Sequence, residues 1–350
     1  MEKAFSKSQK GHSKYDREAL EFAMDEVYNL LQLQKEIKDE TYEFSGYTTF
    51  TISEPKERVI NAPHYKDKVI QLAVNRVLKE IYKPHYIYDT YACIDGKGTH
   101  ACVKRIQYFM RKAKWNYGDG AYIVKIDIEK FFYTIVREIL KTLLTKKIKC
   151  KKTLQLLYKI IDSARLIDVL GLPLGNTLSQ LCANICLDVV DQYAKRGLGL
   201  KYYVRYMDDI TIIVESKERA KEVLELIKGC VESRLHLKLN GSKSKVFPIS
   251  QGVNTIGFKI YPTHLLLRND SKKRIKRKAK KMKRLLINKE MTIETAEQIL
   301  NSWYGHAKQC CSYNFIQSLL HKNDYIYMNK KGILKVNKNK LYRKDETNAV

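Results

Sequence analysis

Along most of the chain the apolar positions follow either a helical or a strand period, and one stretch sets the organisation of the rest. Tyr202–Glu215, YYVRYMDDITIIVE, has two arms rich in Tyr, Val, Ile and Thr, Tyr202–Tyr206 and Ile210–Val214. The arms are predicted to be β-strands, with a turn between them at Met207-Asp208-Asp209. A tight turn crowds its side chains at the tip, so two adjacent carboxylates are set between apolar strands. Like charges in a half-buried site resist joint ionisation, which makes the placement costly without nearby positive charge. A divalent cation would satisfy it, since Mg²⁺ favours one or two carboxylates together with substrate phosphates. A hairpin turn facing water is the alternative for the same residues.

The other segments fall around this hairpin. Residues 15–38 carry Leu20, Ala23, Val27, Leu30 and Leu31 at helical spacing and predict one amphipathic helix. YTTFTISEPKERVINAP reads as a β-hairpin with a basic tip at Lys56 and Arg58, and VIQLAVNRVLKEIY as a helix ending before Pro84. In AYIVKIDIEKFF, residues 121–132, both faces of the strand are largely apolar, as in a strand inside a sheet. Asp127 stands at its carboxyl end, where it is either a helix N-cap or, if the 206–209 turn packs beside it, a third converging carboxylate. Residues 136–168 read as helical. GLPLGNT then forms a loop whose Asn176, Thr177 and Ser179 offer caps for a long helix, and Ser216 caps another. LHLKLNGSKSKVF and VNTIGFKIYP add strands, giving an α+β unit with helices over an antiparallel sheet.

Composition narrows the partners. At 350 residues the chain is long enough for more than one core, and 44% hydrophobic residues fit a folded protein. A net charge of +27 favours a polyanion, nucleic acid first and an anionic membrane second. No apolar run reaches the length of a membrane span and no apolar segment follows the first residues, so a cytoplasmic protein without a membrane partner is expected. The eight cysteines include no C-x-x-C pair, consistent with reduced thiols; His306, Cys310 and Cys311 lack an evident fourth metal ligand. GKGT at 96–99 lacks the first glycine of a Walker phosphate loop. Between Lys272 and Arg284 stand ten Lys or Arg and no acid, with Ile275, Ala279, Met282 and Leu286 as an apolar stripe. That pattern predicts a basic amphipathic helix able to follow a nucleic-acid backbone.

YMDD at 206–209 resembles the polymerase signature of reverse transcriptases, and further segments agree in order. IVKIDIEKFF resembles the motif carrying that family's first metal-binding aspartate, GLPLGNTLSQ the loop and helix between the aspartate motifs, and LKLNGSKSK the lysine motif after them. NTIGFKIY resembles the primer-grip hairpin, and EPKERVINAPHYKDKVIQLAV with DTYACIDGKGTHACVKRIQ the fingers. The resemblance implies a right-hand polymerase: an N-terminal helical extension over 1–47, fingers 48–115, palm 116–262 (136–170 partly fingers), a helical basic thumb 263–325, and a basic tail 326–350. By the same likeness Asp127 and Asp208 would bind two Mg²⁺ ions about 3.5–4 Å apart, or Mn²⁺, with Asp209 supporting them. Arg58 with Lys56 would clamp the triphosphate of the dNTP, and Phe132, five residues after Asp127, would exclude a 2′-hydroxyl. Lys243 would act near the leaving phosphates as charge stabiliser or general acid. Gln180 and the thumb cations Lys272, Lys273, Arg274, Lys276, Arg277, Lys280, Lys281 and Arg284 would hold template RNA and cDNA product.

Within that family the chain looks most similar to the enzymes of diversity-generating retroelements. Where most reverse transcriptases carry Q-G-x-x-x-S-P, LGNTLSQ places Leu174 for the glutamine and Gln180 for the proline. An aliphatic residue there goes, in that group, with error-prone copying of template adenines. A glutamine amide can hydrogen-bond an incoming nucleotide, whereas Leu174 can only pack, so discrimination by buried hydrogen bonds is lost. Such systems also imply a small, basic, oligomeric accessory protein. A phage-defence reverse transcriptase is the competing biology, separable by genomic context. A non-catalytic RNA-binding, maturase-like scaffold is the competing class, disfavoured by the intact Asp127, Asp208 and Asp209.

Overall fold

The computed structural model describes residues 1–10, 16–53, 57–163 and 170–341. The chain forms two compact units, Met1–Arg105 with Asn116–Pro248, and Ile106–Trp115 with the residues from Ile249 onward.

The first unit opens with three helices, α1 (Glu2–Ser8), α2 (Arg17–Met24) and α3 (Glu26–Lys38). The single helix predicted over 15–38 is therefore broken, at Asp25, whose φ of −119° and ψ of 46° leave the helical region. The break changes the phase of the helical period, so Ala19, Leu30 and Leu33 are buried while Leu20, Val27 and Leu31 are exposed. A hairpin follows, β1 (Tyr47–Ile52) with β2 (Arg58–Pro63), then α4 (Tyr65–Tyr82) and α5 (Thr99–Tyr117), the last shared with the second unit. Next come β3 (Tyr122–Ile126), α6 (Phe131–Thr134), α7 (Arg137–Thr145), α8 (Lys151–Asp162) and α9 (Thr177–Gln192). β4 (Tyr202–Tyr206), β5 (Asp209–Val214), α10 (Lys217–Leu235) and β6 (Lys245–Pro248) complete it.

The central sheet has the order β4-β5-β3-β6 and is antiparallel throughout, so β3 and β5 lie inside it as the two-faced apolar pattern requires. Val124, Ile126, Ile210 and Ile212 share one core with Leu181, Ile185 and Val190 of α9 and Val223, Ile227 and Val231 of α10. Each such side chain contributes about 1.5–3 kcal/mol when fully buried. Asn176 caps α9, its Oδ1 accepting from Leu178 N at 2.8 Å, while Thr177 and Ser179 lie inside that helix. Ser216 caps α10 through Arg219 N at 3.1 Å.

The second unit has a meander of β7 (Val253–Thr255), β8 (Phe258–Ile260) and β9 (Leu265–Leu267). After it come α11 (Asn269–Ile287), α12 (Ile293–Ala307), α13 (Tyr313–Lys322), a hairpin of β10 (Ile326–Met328) and β11 (Leu334–Val336), and α14 (Lys338–Leu341). The stripe Ile275, Ala279, Met282 and Leu286 is buried, packed with Leu300, Tyr325, Leu334 and Leu341. The segment expected as a basic tail from 326 is thus folded as far as Leu341, because its alternate apolar residues complete the core under α11. Among the described residues no helix is long and apolar enough to cross a membrane, and no three His, Cys, Asp or Glu group as a metal site. All eight cysteines are free.

Candidate active site

Tyr206 pairs with Asp209 in the β4–β5 register, so the turn is only Met207-Asp208 and Asp209 is already the first residue of β5. Two-residue hairpin loops need a positive φ at their first central position, and Met207 has φ +54°. A non-glycine residue held there costs about 1–3 kcal/mol, a strain tolerated where it places something useful. What it places is Asp208 at the tip.

β3 supplies the facing acid. Ile126 pairs with Ile210, so Asp127 follows directly at the end of β3 that lies beside the turn. Lys125, two residues earlier and on the same strand face, forms an ion pair with Asp209. Lys243 Nζ is 2.8 Å from Asp127 Oδ1. Its loop is stitched along the acid: Asn240 N donates to Asp127 O at 2.8 Å, Asp127 N donates to Ser244 Oγ at 3.2 Å, and Glu129 N donates to Lys238 O at 2.9 Å. Asp127 is therefore not a helix cap; the residue preceding α6 is Lys130, with φ +44°.

Burial, and then the charge of Asp127, push the Asp208 carboxyl above the usual carboxylate range, with Lys243 and Lys125 acting in the opposite direction. The carboxylate oxygens of Asp127 and Asp208 are hard donors of the kind that suits a divalent cation such as Mg²⁺, which these two acids would hold. Asp209, expected to support the metal-holding pair, forms its ion pair with Lys125 of β3. Among the described residues the three acids do not make a three-ligand group.

A second set of residues is organised by the loop before α9. Leu172 N donates to Phe132 O at 2.7 Å and Gly171 N to Ile135 O at 2.9 Å. The buried Arg137 donates from Nη1 to Gly171 O at 3.0 Å. A Cβ on Gly171, φ +87°, would lie 2.7 Å from Phe132 O and Tyr133 Cα, so only glycine lets the loop approach the Phe132 backbone this closely. Phe132 itself is half-buried, edge-on to Phe131 at 5.5 Å. At the other end of the loop Leu174, also half-buried, accepts through its carbonyl from Asn61 N of β2 at 2.7 Å. Arg58 is exposed on the first residue of β2, three residues from that contact. Gln180 is exposed and its Oε1 accepts from Cys93 Sγ at 3.2 Å. Lys56 lies outside the described residues.

In the second unit, Lys273, Arg274, Lys276, Arg277, Lys280, Lys281 and Arg284 are exposed on α11 and Lys272 is half-buried. Lys272 and Lys276 lie 5.6 and 5.5 Å from the centre of the Phe315 ring.

Sequence reasoning missed the support behind the turn. Arg205 and Asp191 are fully buried and joined by two bonds, Nε to Oδ1 at 2.7 Å and Nη2 to Oδ2 at 2.6 Å. Arg205 Nη1 donates to Asn184 Oδ1 at 2.9 Å and to Met207 O at 3.2 Å. Asp191 also accepts from Tyr203 OH at 2.6 Å and from Thr90 Oγ1 at 2.8 Å. The signal was an arginine inside the apolar strand YYVRY and an aspartate inside the apolar run of α9, two charges that burial obliges to find each other.

An acid-tipped hairpin in an antiparallel sheet, facing a second acid at a strand end and backed by helices, has the architecture of a polymerase palm. The chain belongs to the reverse transcriptase (RNA-dependent DNA polymerase) family, whose model matches residues 52–260. Among its relatives it is 25% identical to the group II intron-encoded protein LtrA of Lactococcus lactis subsp. cremoris, over 68% of this chain and 50% of that protein. It is 23% identical to Escherichia coli protein YkfC, over 59% of this chain and 64% of that protein. The chain thus spans less than two thirds of the length of these relatives. In fold it is similar to the apo telomerase of Candida tropicalis, with a TM-score of 0.52, 14% identity, and coverage of 71% of this chain and 54% of that one.

Proposed function

We propose that this chain is an RNA-directed DNA polymerase, and more specifically that of a diversity-generating retroelement, making adenine-mutagenised cDNA from a dedicated template RNA. The polymerase reading rests above all on the β3–β5 register, which puts Asp127 beside the Met207-Asp208 turn. Asp127 and Asp208 would hold Mg²⁺, or Mn²⁺, which when bound lowers the pKa of the primer 3′-hydroxyl and stabilises charge on the departing pyrophosphate. Lys243, 2.8 Å from Asp127, would act near the leaving phosphates as charge stabiliser or general acid. Asp209, paired with Lys125, would support the two metal-holding acids from the start of β5. The Phe132 ring would bar a 2′-hydroxyl, and Arg58 with Lys56 would clamp the triphosphate. Exposed α11 cations would grip the template–product backbone.

The finer reading rests on Leu174. Its carbonyl is engaged by Asn61 and its side chain has no hydrogen-bonding group, so nothing at that position can check the edge or sugar of an incoming nucleotide. A small, basic, oligomeric accessory protein would complete template binding. Purified protein given a defined RNA, a primer, Mg²⁺ and dNTPs tests both levels. Asp208→Ala should abolish incorporation while RNA binding persists, and retained synthesis would refute the metal assignment. Sequenced cDNA from Leu174→Gln should carry fewer substitutions opposite adenine; an unchanged error spectrum removes the retroelement assignment.

A further inference from the structure

We propose that Arg205 is a positioning residue that sets the catalytic turn, a proposal that rests on the polymerase reading above. The turn has only two residues, and the carbonyl of Met207 belongs to the peptide unit that leads into Asp208. Fixing that carbonyl fixes where the Asp208 carboxylate points. Arg205 Nη1 donates to it at 3.2 Å, while the rest of the guanidinium is immobilised by Asp191, bidentate at 2.6 and 2.7 Å.

Asp191 is in turn held by Tyr203 and Thr90. Asn184, which shares the Nη1 group, donates through Nδ2 to Ala92 O at 2.8 Å. The backbone closes the same frame, Arg205 N donating to Asp89 O at 3.0 Å and Tyr91 N to Arg205 O at 3.0 Å. The strained turn is thereby tied to α9 and to the 89–92 segment, both outside its own hairpin in sequence. For stability alone a well-packed apolar pair would do as well as a buried ion pair. What an apolar pair cannot do is donate to the Met207 carbonyl. Lysine fails as well, because one ammonium cannot make a planar two-point contact with Asp191 and still reach Met207.

The test compares the native full chain with Arg205→Lys and with the double variant Arg205→Met/Asp191→Asn. The double variant removes both buried charges and leaves Tyr203 and Thr90 a partner. It should melt near the native temperature and bind template RNA as the native protein does. Its kcat for dNTP incorporation should fall about 10²-fold, as for a small displacement of a reacting group, with little change in KM. Arg205→Lys should show the same split. Amide hydrogen exchange in a peptide covering 206–210 should quicken in both, a readout independent of turnover. Either variant folded with kcat near native and unchanged exchange at the turn would overturn the proposal. So would failure of both to fold, which would make the network a structural support only. A native protein that incorporates no dNTP would instead refute the polymerase reading, and the exchange comparison would still decide the role of Arg205.

Discussion

Replacing Gly171 by alanine isolates the closest backbone approach in the candidate site. At φ +87° an added Cβ would sit 2.7 Å from Phe132 O and from Tyr133 C and Cα, all main-chain atoms that cannot rotate aside. The unfavourable φ costs about 1–3 kcal/mol, and overpacking against fixed atoms about 1–3 more. Reduced freedom of the unfolded chain returns about 0.4–1 kcal/mol, leaving a net loss of about 1–6 kcal/mol. Gly118→Ala is the control, since Gly118 has φ +61° but no atom within 4 Å of its would-be Cβ. It retains the same φ cost of about 1–3 kcal/mol and the entropy gain, without the clash. Denaturant titration of both variants should therefore show Gly171→Ala losing more by about 1–3 kcal/mol. Because the clash falls on the peptide carrying Phe132, selection of dNTP over rNTP should weaken only in Gly171→Ala. Equal losses in the two variants would refute the claim that loop contact, not backbone angle, makes this glycine necessary.

Two other perturbations test charge. Asp208 is held above the usual carboxylate range by burial and by Asp127, so the native state takes up its proton more readily than the unfolded chain. That contribution is stabilising below the unfolded pKa and is lost as pH rises through the folded value. Asp208→Asn in metal-free buffer should accordingly melt higher than the native protein at pH 7, the gap closing toward about pH 4; a lower melting temperature at pH 7 would contradict the electrostatic account. Neutralising the exposed Lys276, Arg277, Lys280 and Lys281 should reduce the slope of log binding constant against log salt by about 3 on template RNA, and an unchanged slope would locate the nucleic acid elsewhere.

Much of the palm was legible because its signals are periodic. The two-faced apolar run of β3, the arms of the 202–214 hairpin and the stripe Ile275, Ala279, Met282, Leu286 each point to a buried surface, and each is found buried. Positions decided by tertiary partners were not legible. The sequence pattern predicts a turn of three residues because nothing local says that Asp209 will pair with Tyr206 and open β5. Residues 15–38 carry an unbroken helical period, so the interruption at Asp25 is invisible until the phase of the buried residues is known. Arg205 reads as an ordinary strand cation, and only the burial of Asp191, fourteen positions earlier, gives it a partner.

The division of α5 bears on how the first unit can be isolated. The helix starts in the first unit, but its stretch Ile106–Trp115 belongs with the second, where Ile106, Phe109, Met110 and Ala113 are buried and Gln107 Nε2 donates to Tyr261 O at 3.2 Å. Severing the chain after Pro248 would keep every acid of the palm yet strip the cover from four oily side chains midway along that helix. Such a fragment would be prone to clump, and soluble yield, rather than lost chemistry, would be the first thing to suffer.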